Sequence, residues 1–240
     1  MNLCEMICHR RSVRAYLPEA VDEAVLADIA AFMESLTPLF PEAAPTAKVI
    51  PTKEATFLQK WHNPQFFVFY APNTDEGLIN VGFMYQQLDL YLQARGLGTC
   101  WVGLGTPAEV HKAPEGMKLA VMMAFGHPAG KEPKRAGAGV FKRRSREEIA
   151  DVPDDRLEPA RLAPSATNSQ PWFFTHEGEA LHVWREKLTL LKKRTLGRMN
   201  LIDMGIALAH LKVSHTDFAF TRLEAPPERK DLLYVGTVKL

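Results

Sequence analysis

Apolar residues at helical spacing divide the chain into helices. Val25, Ile29 and Phe32 stand three or four positions apart, so they would line one face of a helix. The stretch that ends at Gly96 is apolar on nearly every side, which predicts a helix buried all round with this glycine as its C-cap. These patterns predict helices over residues 3–11, 21–36, 78–94, 156–162 and 200–213.

β-branched and aromatic runs between the helices predict strands. The run at 65–70 reads Gln-Phe-Phe-Val-Phe-Tyr, and the apolar run at 119–125 has the length of a buried strand. Residues 37–53 hold four prolines and are therefore predicted to be mostly loop. Two short runs on either side of the turn at 176–179 predict a hairpin. The predicted strands cover residues 65–70, 99–102, 119–125, 172–175, 181–184 and 232–239.

The order of these elements contains a repeat. Each half of the chain runs from a helix through a proline-bearing loop and strand to a buried helix and a further strand. The helix segment Ile-Asn-Val-Gly-Phe at 79–83 matches Ile-Asp-Met-Gly-Ile at 202–206 in constant register. A duplicated unit can bury one face against its copy, as the subunits of an isologous dimer do. We predict one unit over residues 1–240, made of two lobes at about 1–150 and 151–240 that share a core.

Composition places the chain among ordinary globular proteins. It has 240 residues, of which 46% are hydrophobic and 24% charged, and this length can bury a core without disulfides. Three cysteines cannot form a complete set of disulfides, so a reducing cytoplasm is the expected compartment. The N-terminal sequence has the wrong charge layout for a signal peptide. No run of about 18 apolar residues is present, so no membrane span is predicted.

The charge balance bears on nucleic-acid binding. A formal net charge of +1 argues against wholesale binding of a polyanion, which needs a surplus of positive charge. The loop at 129–146 is locally rich in lysine and arginine. A nucleic-acid-associated factor that uses this loop is the weakest of three functional hypotheses, and we predict no nucleic-acid partner.

Three arginines and a hydroxyl group stand together near the N-terminus. The run Arg10-Arg11-Ser12-Val13-Arg14 can hold a phosphate, because arginine offers paired charge-assisted donors and serine offers one more. The alternative is a solvated basic helix end, in which arginines complement the helix dipole. The run alone does not decide between them.

A second polar cluster lies in a loop of the second half. Pro164 and Pro171 bracket a run of hydroxyl and amide residues that includes Ser165, Asn168 and Gln170. Such a loop offers the mixture of donors and acceptors that the edge of a heteroaromatic ring requires. The alternative is a capped turn that leads into the next strand, since serine, asparagine and proline are common turn residues.

A glycine-rich turn forms the third candidate. Gly98 and Gly103 allow backbone N–H groups to approach a flat ligand closely. The alternative is a helix C-cap followed by a tight entry into a strand. Residues 103–108 also fit the dinucleotide-binding pattern G-x-G-x-x-A. We reject that interpretation, because a helix stopped by Pro114 is too short for a βαβ crossover.

Other reactive side chains lack the partners that chemistry needs. Cys4, Cys8 and His9 are close in sequence, but they match no zinc spacing, and buried thiols are the favoured interpretation. His210 has no carboxylate at ligand spacing. Cys100 would need a base that the sequence does not identify. We therefore predict no metal site and no catalytic side chain.

Taken together, the three motifs resemble those of the nitroreductase family of flavoproteins, and specifically a tandem subfamily. In ordinary members the proline–serine–asparagine–glutamine motif comes early, whereas here the corresponding stretch at 35–45 lacks asparagine and glutamine. The motif stands instead at 163–172, in the second repeat. The resemblance implies an α+β, nitroreductase-like fold in which two similar lobes mimic the family homodimer within one chain.

By this resemblance the chain carries one intact FMN site. The first lobe would supply the arginine–serine motif and the glycine turn, the second lobe would supply the 163–172 loop, and the mirror-image site would be dead. Arg10 and Arg14 would bind the FMN phosphate together with Arg143 or Arg144, and Ser12 would assist them. The implied cofactor-binding residues are Arg10, Arg11, Ser12, Arg14, Leu97, Gly98, Trp101, Val102, Gly103, Arg143, Arg144, Pro164, Ser165, Asn168 and Gln170.

The resemblance also implies a reaction. NAD(P)H would pass a hydride to flavin N5, and a nitroaromatic or quinone-like small molecule would then take the electrons in a ping-pong cycle. Ser165 and Asn168 would face the pyrimidine edge or the ribityl hydroxyls, and the backbone of residues 101–103 would approach the ring. A flavin-binding protein without turnover is the alternative function. A monomeric pseudo-dimer or a weak homodimer is expected.

Overall fold

A computed structural model describes residues 2–58, 65–130 and 142–240. Within these ranges the helices vary from one turn to seven. They are α1 (Leu3–Met6), α2 (Glu23–Glu34), α3 (Asp75–Ala94), α4 (Arg146–Ile149), α5 (Glu158–Arg161) and α6 (Leu190–Ser214). The strands are β1 (Thr46–Pro51), β2 (Ala55–Phe57), β3 (Gln65–Pro72), β4 (Gly98–Val102), β5 (Gly105–Pro107), β6 (Met117–Gly126), β7 (Trp172–Glu177), β8 (Ala180–Glu186), β9 (Ala219–Thr221) and β10 (Leu232–Lys239).

Two four-stranded sheets share one topology. The first sheet has the order β1-β3-β6-β4, and the second has the order β7-β8-β10-β9. All neighbours within each sheet are antiparallel. In each sheet a strand pair precedes a long helix, and the chain then adds an edge strand before it returns to a central one. The α+β class and the two similar lobes are therefore confirmed.

The long helices α3 and α6 cross where each has a glycine. A Cβ atom built on Gly82 would overlap the carbonyl oxygen of Ile202, and one built on Gly205 would overlap the carbonyl oxygen of Ile79. The two contacts are reciprocal, as in a two-fold symmetric pair. Only glycine allows the helix backbones to approach this closely, so the matching residues that revealed the repeat are those that form the interface between the lobes.

Strand β3 is buried on both faces and separates two clusters of apolar side chains. Phe67 and Phe69 face the main core with α3 and α6, whereas Phe66 and Val68 face the opposite side, because successive side chains of a strand alternate. The N-terminal segment covers this opposite side, and its Val13 packs there. The core therefore fixes where the arginine–serine motif lies.

Three sequence predictions about the elements were wrong. Residues 37–53 are not mostly loop, because Thr46–Pro51 forms an edge strand, a position that tolerates prolines at its ends. Helix α6 begins at Leu190 rather than at residue 200, since its exposed first turns carry no apolar periodicity. Helix α1 ends at Met6 rather than at residue 11. Among the described residues, no helix is long and apolar enough to cross a membrane.

Candidate cofactor site

Arg10 is almost completely buried, although it belongs to the most basic stretch near the N-terminus. Its exposed fraction is 2%, and its Nε lies 2.8 Å from Oδ2 of Asp89 in α3. The same carboxylate accepts hydrogen bonds from Gln86 at 3.0 Å, from Gln93 at 2.8 Å and from the hydroxyl of Thr99. The charge of Arg10 is thus balanced by a carboxylate that accepts hydrogen bonds from three other side chains.

The Nη2 atom of Arg10 is a buried donor that lacks an acceptor. No hydrogen-bond partner for it is found in the parts of the chain that the structure describes. An unsatisfied buried donor is unfavourable, and the penalty is larger for a charged group. An anionic oxygen at this point would satisfy it. The residues present therefore fit a ligand with phosphate or hydroxyl oxygens, such as the phosphoribityl chain of a flavin nucleotide.

The rest of the arginine–serine motif follows the edge of the first sheet. Ser12 forms a parallel bridge with Thr99, and the N–H of Arg11 donates to Oε1 of Gln93 at 2.9 Å. Burial raises the pKa of the Cys100 thiol, although the charge of Arg14 and a hydrogen bond with Ser12 act against this shift. Burial outweighs these effects, so Cys100 is kept as a thiol, which is the less nucleophilic form.

The glycine turn lies against the same motif. A Cβ on Gly98 would stand 2.6 Å from Cγ1 of Val13, so glycine is needed for this close approach. Leu97 and Val102 are buried in the core, which makes packing their main contribution. Gly103 is exposed, at the end of the turn where the chain comes nearest to Met199 of α6.

A buried amide connects the turn to the second lobe. Gln86 accepts a hydrogen bond from Nε1 of Trp101 at 3.1 Å, and its Nε2 lies 3.2 Å from Nε2 of His210. His210 places Nδ1 2.9 Å from the carbonyl oxygen of Pro159. Burial lowers the pKa of His210 to about 3, so the ring is neutral, with its proton on Nδ1. Sequence reasoning missed this network because Gln86 and His210 are 124 residues apart.

The polar loop of the second lobe has an unusual backbone. Thr167, Asn168 and Gln170 have φ angles of 51°, 59° and 48°, in the left-handed region that normally favours glycine. Such residues tend to cluster at functional sites, where the surrounding structure imposes the strain. Ser165 supports the loop by accepting a hydrogen bond on Oγ from the N–H of Gln170 at 3.0 Å. Pro164 is half-buried at the start of the loop.

Asp203 of α6 lies under this loop. Its Oδ1 accepts a hydrogen bond from the N–H of Ala166 at 2.9 Å, and its Oδ2 accepts one from the hydroxyl of Ser169 at 3.2 Å. Burial raises the pKa of Asp203 to about 7, and the two hydrogen bonds only partly oppose this shift. The same Ser169 hydroxyl also lies 3.3 Å from Oδ1 of Asn200. Neither Asp203 nor Asn200 was identified from the sequence.

The two arginines proposed for the phosphate have different surroundings. Arg143 donates from Nη1 to Oδ1 of Asn168 at 2.5 Å, whereas Arg144 forms a bidentate ion pair with Glu186. The backbone N–H of Arg144 also donates to Oε1 of Gln170 at 2.8 Å. The side chain of Arg143 therefore contacts the 163–172 loop, whereas the side chain of Arg144 is paired with Glu186. Residues 131–141 of the basic loop lie outside the described residues.

A family model described as "Putative TM nitroreductase" matches residues 2–215. The chain belongs to this family. The resemblance found in the sequence motifs is thereby confirmed. No curated protein matches the chain at a significant level.

Solved structures show how far the fold of this nitroreductase-family chain is shared. A "putative nitroreductase" from Thermotoga maritima is 24% identical, with 100% of this chain and 94% of that chain covered at a TM-score of 0.66. A nitroreductase family protein from Clostridium novyi is 18% identical over 57% of this chain and 89% of that chain. A nitroreductase with bound FMN from Desulfitobacterium hafniense is 16% identical over 58% and 96%. Both of these have a TM-score of 0.46, so they say nothing about the chemistry of this chain.

Two arginines of this nitroreductase-family chain, Arg10 and Arg143, act on the imidazole of His210. The charges of Arg10 and Arg143 both act to lower the pKa of His210, after the larger effect of burial. Met199, beside the glycine turn, directly precedes Asn200, which contacts the loop of the second lobe. The three motifs therefore converge around the crossing pair α3 and α6.

The cysteines near the N-terminus differ from the sequence prediction. Cys4 and Cys8 are half-buried rather than buried, because the short helix α1 lies at the surface beside the end of α6. The thiol of Cys4 lies 3.4 Å from the hydroxyl of Ser214. Burial is still the main cause that raises the pKa of Cys8. Cys100, for which no burial was predicted, is buried.

Proposed function

We propose that this chain is an FMN-dependent oxidoreductase that uses NAD(P)H to reduce nitroaromatic or quinone-like small molecules. Membership of the nitroreductase family supports this proposal, as does the meeting of the three motifs at the crossing of α3 and α6. The observation that carries it is the buried Nη2 of Arg10, a charged donor without an acceptor among the described residues.

Arg10, Arg14 and Arg143 are the residues that we assign to the phosphate. Arg10 is oriented by Asp89, so little conformational entropy is lost when it binds an anion. Arg143 adds a further cation from the 142–144 segment, where it already contacts Asn168 of the second lobe. Ser12 is added to this group because the resemblance of its motif to the family implies a role at the phosphate. Arg144 is left to its ion pair with Glu186 in this assignment.

The polar loop and the glycine turn are assigned to the ring. Ser165, Asn168 and Gln170 offer hydroxyl and amide groups from a backbone that is fixed in the left-handed region. The backbone at Trp101 and Gly103 would approach the flat face, with Trp101 held through its indole N–H. When bound, FMN would supply the redox chemistry by accepting a hydride and passing it on. The side chains bind and orient, and no acid or base is assigned among them.

A visible absorption spectrum of the purified protein is the first test. The proposal predicts a yellow protein that NAD(P)H bleaches in the absence of air, and NAD(P)H oxidation when menadione or a nitroaromatic is added. The variant Arg14→Ala should weaken FMN binding. Arg95→Ala is the control, since Arg95 pairs with Asp28 at the surface away from the site.

Two outcomes of this test would change the proposal. Colourless protein that takes up no added FMN would overturn it. Stoichiometric FMN with no NAD(P)H oxidation would instead favour a flavin-binding protein without turnover. We also propose that the chain works as a monomer with lobes divided near residue 150, so sedimentation should give one chain and one flavin per particle.

A further inference from the structure

The loop that carries Ser165 and Asn168 is held in a conformation that it would not adopt alone. Three of its residues have positive φ angles. This backbone conformation is energetically unfavourable for any residue other than glycine. Thr167 is the most unfavourable, because a β-branched side chain crowds the left-handed backbone. Contacts from outside the loop must therefore stabilise it.

Asp203 provides the contact at the centre of the loop. It accepts hydrogen bonds on both oxygens, from the N–H of Ala166 and from the hydroxyl of Ser169, and these two residues flank Thr167 and Asn168. A carboxyl group that accepts hydrogen bonds on both oxygens is expected to be ionised, since a protonated carboxyl group has fewer acceptor sites. Asp203 is 2% exposed, so water does not replace these bonds.

The first lobe contains a natural comparison. Asn80 occupies the equivalent position on α3, and its Oδ1 accepts hydrogen bonds from the N–H groups of Leu39 and Phe40 at 2.9 and 3.1 Å. The loop that it holds contains no non-glycine residue with positive φ. An amide is therefore sufficient to anchor an unstrained loop. The carboxylate is found only beneath the strained loop that we assign to the flavin.

The charged groups around Asp203 do not compensate for its burial. Arg143 and Arg144 approach the loop from the 142–144 segment, where they contact Asn168 and Gln170 rather than Asp203. The crossing helix α3 presents the neutral Asn80 at its equivalent position, and α6 itself carries the neutral His210 two turns further on. Burial is the main cause of the raised pKa of Asp203, about 7.

We propose that Asp203 is the positioning residue of the flavin site, whose ionised carboxylate holds Ala166 and Ser169 so that the intervening backbone presents Ser165 and Asn168 to the ring. This inference rests on the proposed function. Protonation removes one acceptor and releases Ser169, so flavin affinity should depend on the charge of Asp203. The phosphate of FMN also titrates, and its contribution is removed by comparing each variant with the wild type at the same pH.

The test compares FMN affinity of three variants with that of the wild type from about pH 6 to about pH 8. A group with a pKa of about 7 changes from about one tenth to about nine tenths ionised over this range. If only the ionised form holds the loop, the wild-type Kd should improve about tenfold. Asp203→Asn should lack this improvement, so its Kd relative to the wild type should rise about tenfold. Ratios to the wild type at each pH cancel the titration of the FMN phosphate.

Two further variants separate positioning from general stability. Asp203→Ala should weaken FMN binding about tenfold or more at about pH 8, where the wild type is mostly ionised, because both contacts with the loop are lost. Asn80→Ala removes the equivalent contacts in the first lobe, so it should lower the melting temperature and leave the FMN Kd and its pH profile as in the wild type. A Kd ratio for Asp203→Asn that does not change with pH would overturn the proposal, as would an unchanged Kd for Asp203→Ala.

Amide hydrogen exchange tests the positioning role of Asp203 independently of flavin. In the apo protein, the N–H of Ala166 should lose protection in Asp203→Ala and keep it in Asn80→Ala. If the wild type binds no FMN, the proposed function fails, and this exchange measurement still judges the positioning role. Equal protection of Ala166 in the wild type and in Asp203→Ala would overturn that role as well.

Discussion

The ring of Phe40 packs edge-on against the ring of Phe220, with centroids 5.4 Å apart. Phe40 belongs to the loop of the first lobe and is the counterpart of Ala166, because Pro38 and Pro45 have the same spacing as the prolines around that residue. Phe220 lies in β9, the counterpart of β4. In one half of the molecule, the loop of the second lobe faces the glycine turn. In the mirror-image half, the aromatic pair therefore fills the corresponding place.

This pair predicts one flavin per chain. Phe40→Ala should lower the free energy of unfolding by about 3–4 kcal/mol, measured in urea, since it leaves a cavity in a buried aromatic contact. Flavin stoichiometry should stay at one, because the second lobe has no arginine–serine motif. The reciprocal change Ala166→Phe should instead abolish flavin binding. A second equivalent of FMN in Phe40→Ala would contradict this interpretation.

The crossing of α3 and α6 predicts that glycine-to-alanine substitutions differ widely in their effects on stability. Gly82→Ala and Gly205→Ala should each destabilise the protein by more than about 3 kcal/mol, because the added methyl overlaps backbone that cannot move independently. Gly197 lies in the same helix α6, where a Cβ would meet only a lysine side chain at 3.5 Å. Gly197→Ala should therefore be neutral or stabilising by up to about 1 kcal/mol. Thermal denaturation of the three variants measures this order.

The two arginines at 143 and 144 should differ in their effects on flavin. Arg143→Ala should raise the FMN Kd about tenfold with little change in stability, because it loses a charge at the ring-edge loop. Arg144→Ala should change the Kd less than about threefold and lower stability by about 1 kcal/mol or less, since its partly exposed ion pair is with Glu186. Fluorescence titration with FMN and urea unfolding provide both numbers. The reverse order would move the phosphate assignment to Arg144.

Asp203 should make stability depend on pH in a definite direction. Burial raises the pKa of Asp203 to about 7 in the folded protein, above the ordinary value of an unfolded aspartate. Between these values the unfolded chain releases a proton that the folded chain keeps, so stability falls as the pH rises to about 7. Asp203→Asn should lack this loss. Its stability relative to the wild type should increase by roughly 2–3 kcal/mol between about pH 5 and about pH 8.

His176 should also make stability fall as the pH rises, although the group that is stabilised here is a charged imidazole. It lies between Asp151 and Asp154, at 2.8 and 3.1 Å, and their hydrogen bonds and charges raise the pKa of His176. The stabilisation is present below the ordinary histidine pKa and is lost as the pH rises through the folded value. His176→Gln should therefore cost about 1 kcal/mol at about pH 6 and less at about pH 9. Urea unfolding at the two pH values, with NMR titration of the ring, provides the check.

Several elements follow directly from local sequence patterns. The run at 65–70 forms the strand Gln65–Pro72, and the predicted buried helix at 78–94 forms Asp75–Ala94 with Gly96 after its end at a φ of 79°. These elements could be predicted because burial on all sides leaves an uninterrupted apolar signal. Strand β1 gave no such signal, since its side chains are mostly exposed and only pairing with β3 makes it a strand.

The candidate site also has parts that could be predicted from the sequence and parts that could not. The motifs at 10–14, 98–103 and 165–170 could be read from residue types, because phosphate and ring recognition need particular donors close together in sequence. The groups that orient them could not: Asp89 holds Arg10, and Asp203 holds Ala166, across long separations along the chain. Such contacts depend on which helices cross and at which residue.

The sequence by itself determined the repeat, the family and the residue types of the three motifs, since each of these is recorded in short local patterns. Only the tertiary structure decided that Arg10 is buried, with two of its nitrogen atoms making no hydrogen bond to the described residues, and that the side chain of Arg143 rather than that of Arg144 contacts Asn168. It also decided that the buried carboxylate of Asp203 lies beneath the strained loop. Burial and charge compensation depend on everything that surrounds a group, and the close crossing at Gly82 and Gly205 brings those surroundings together.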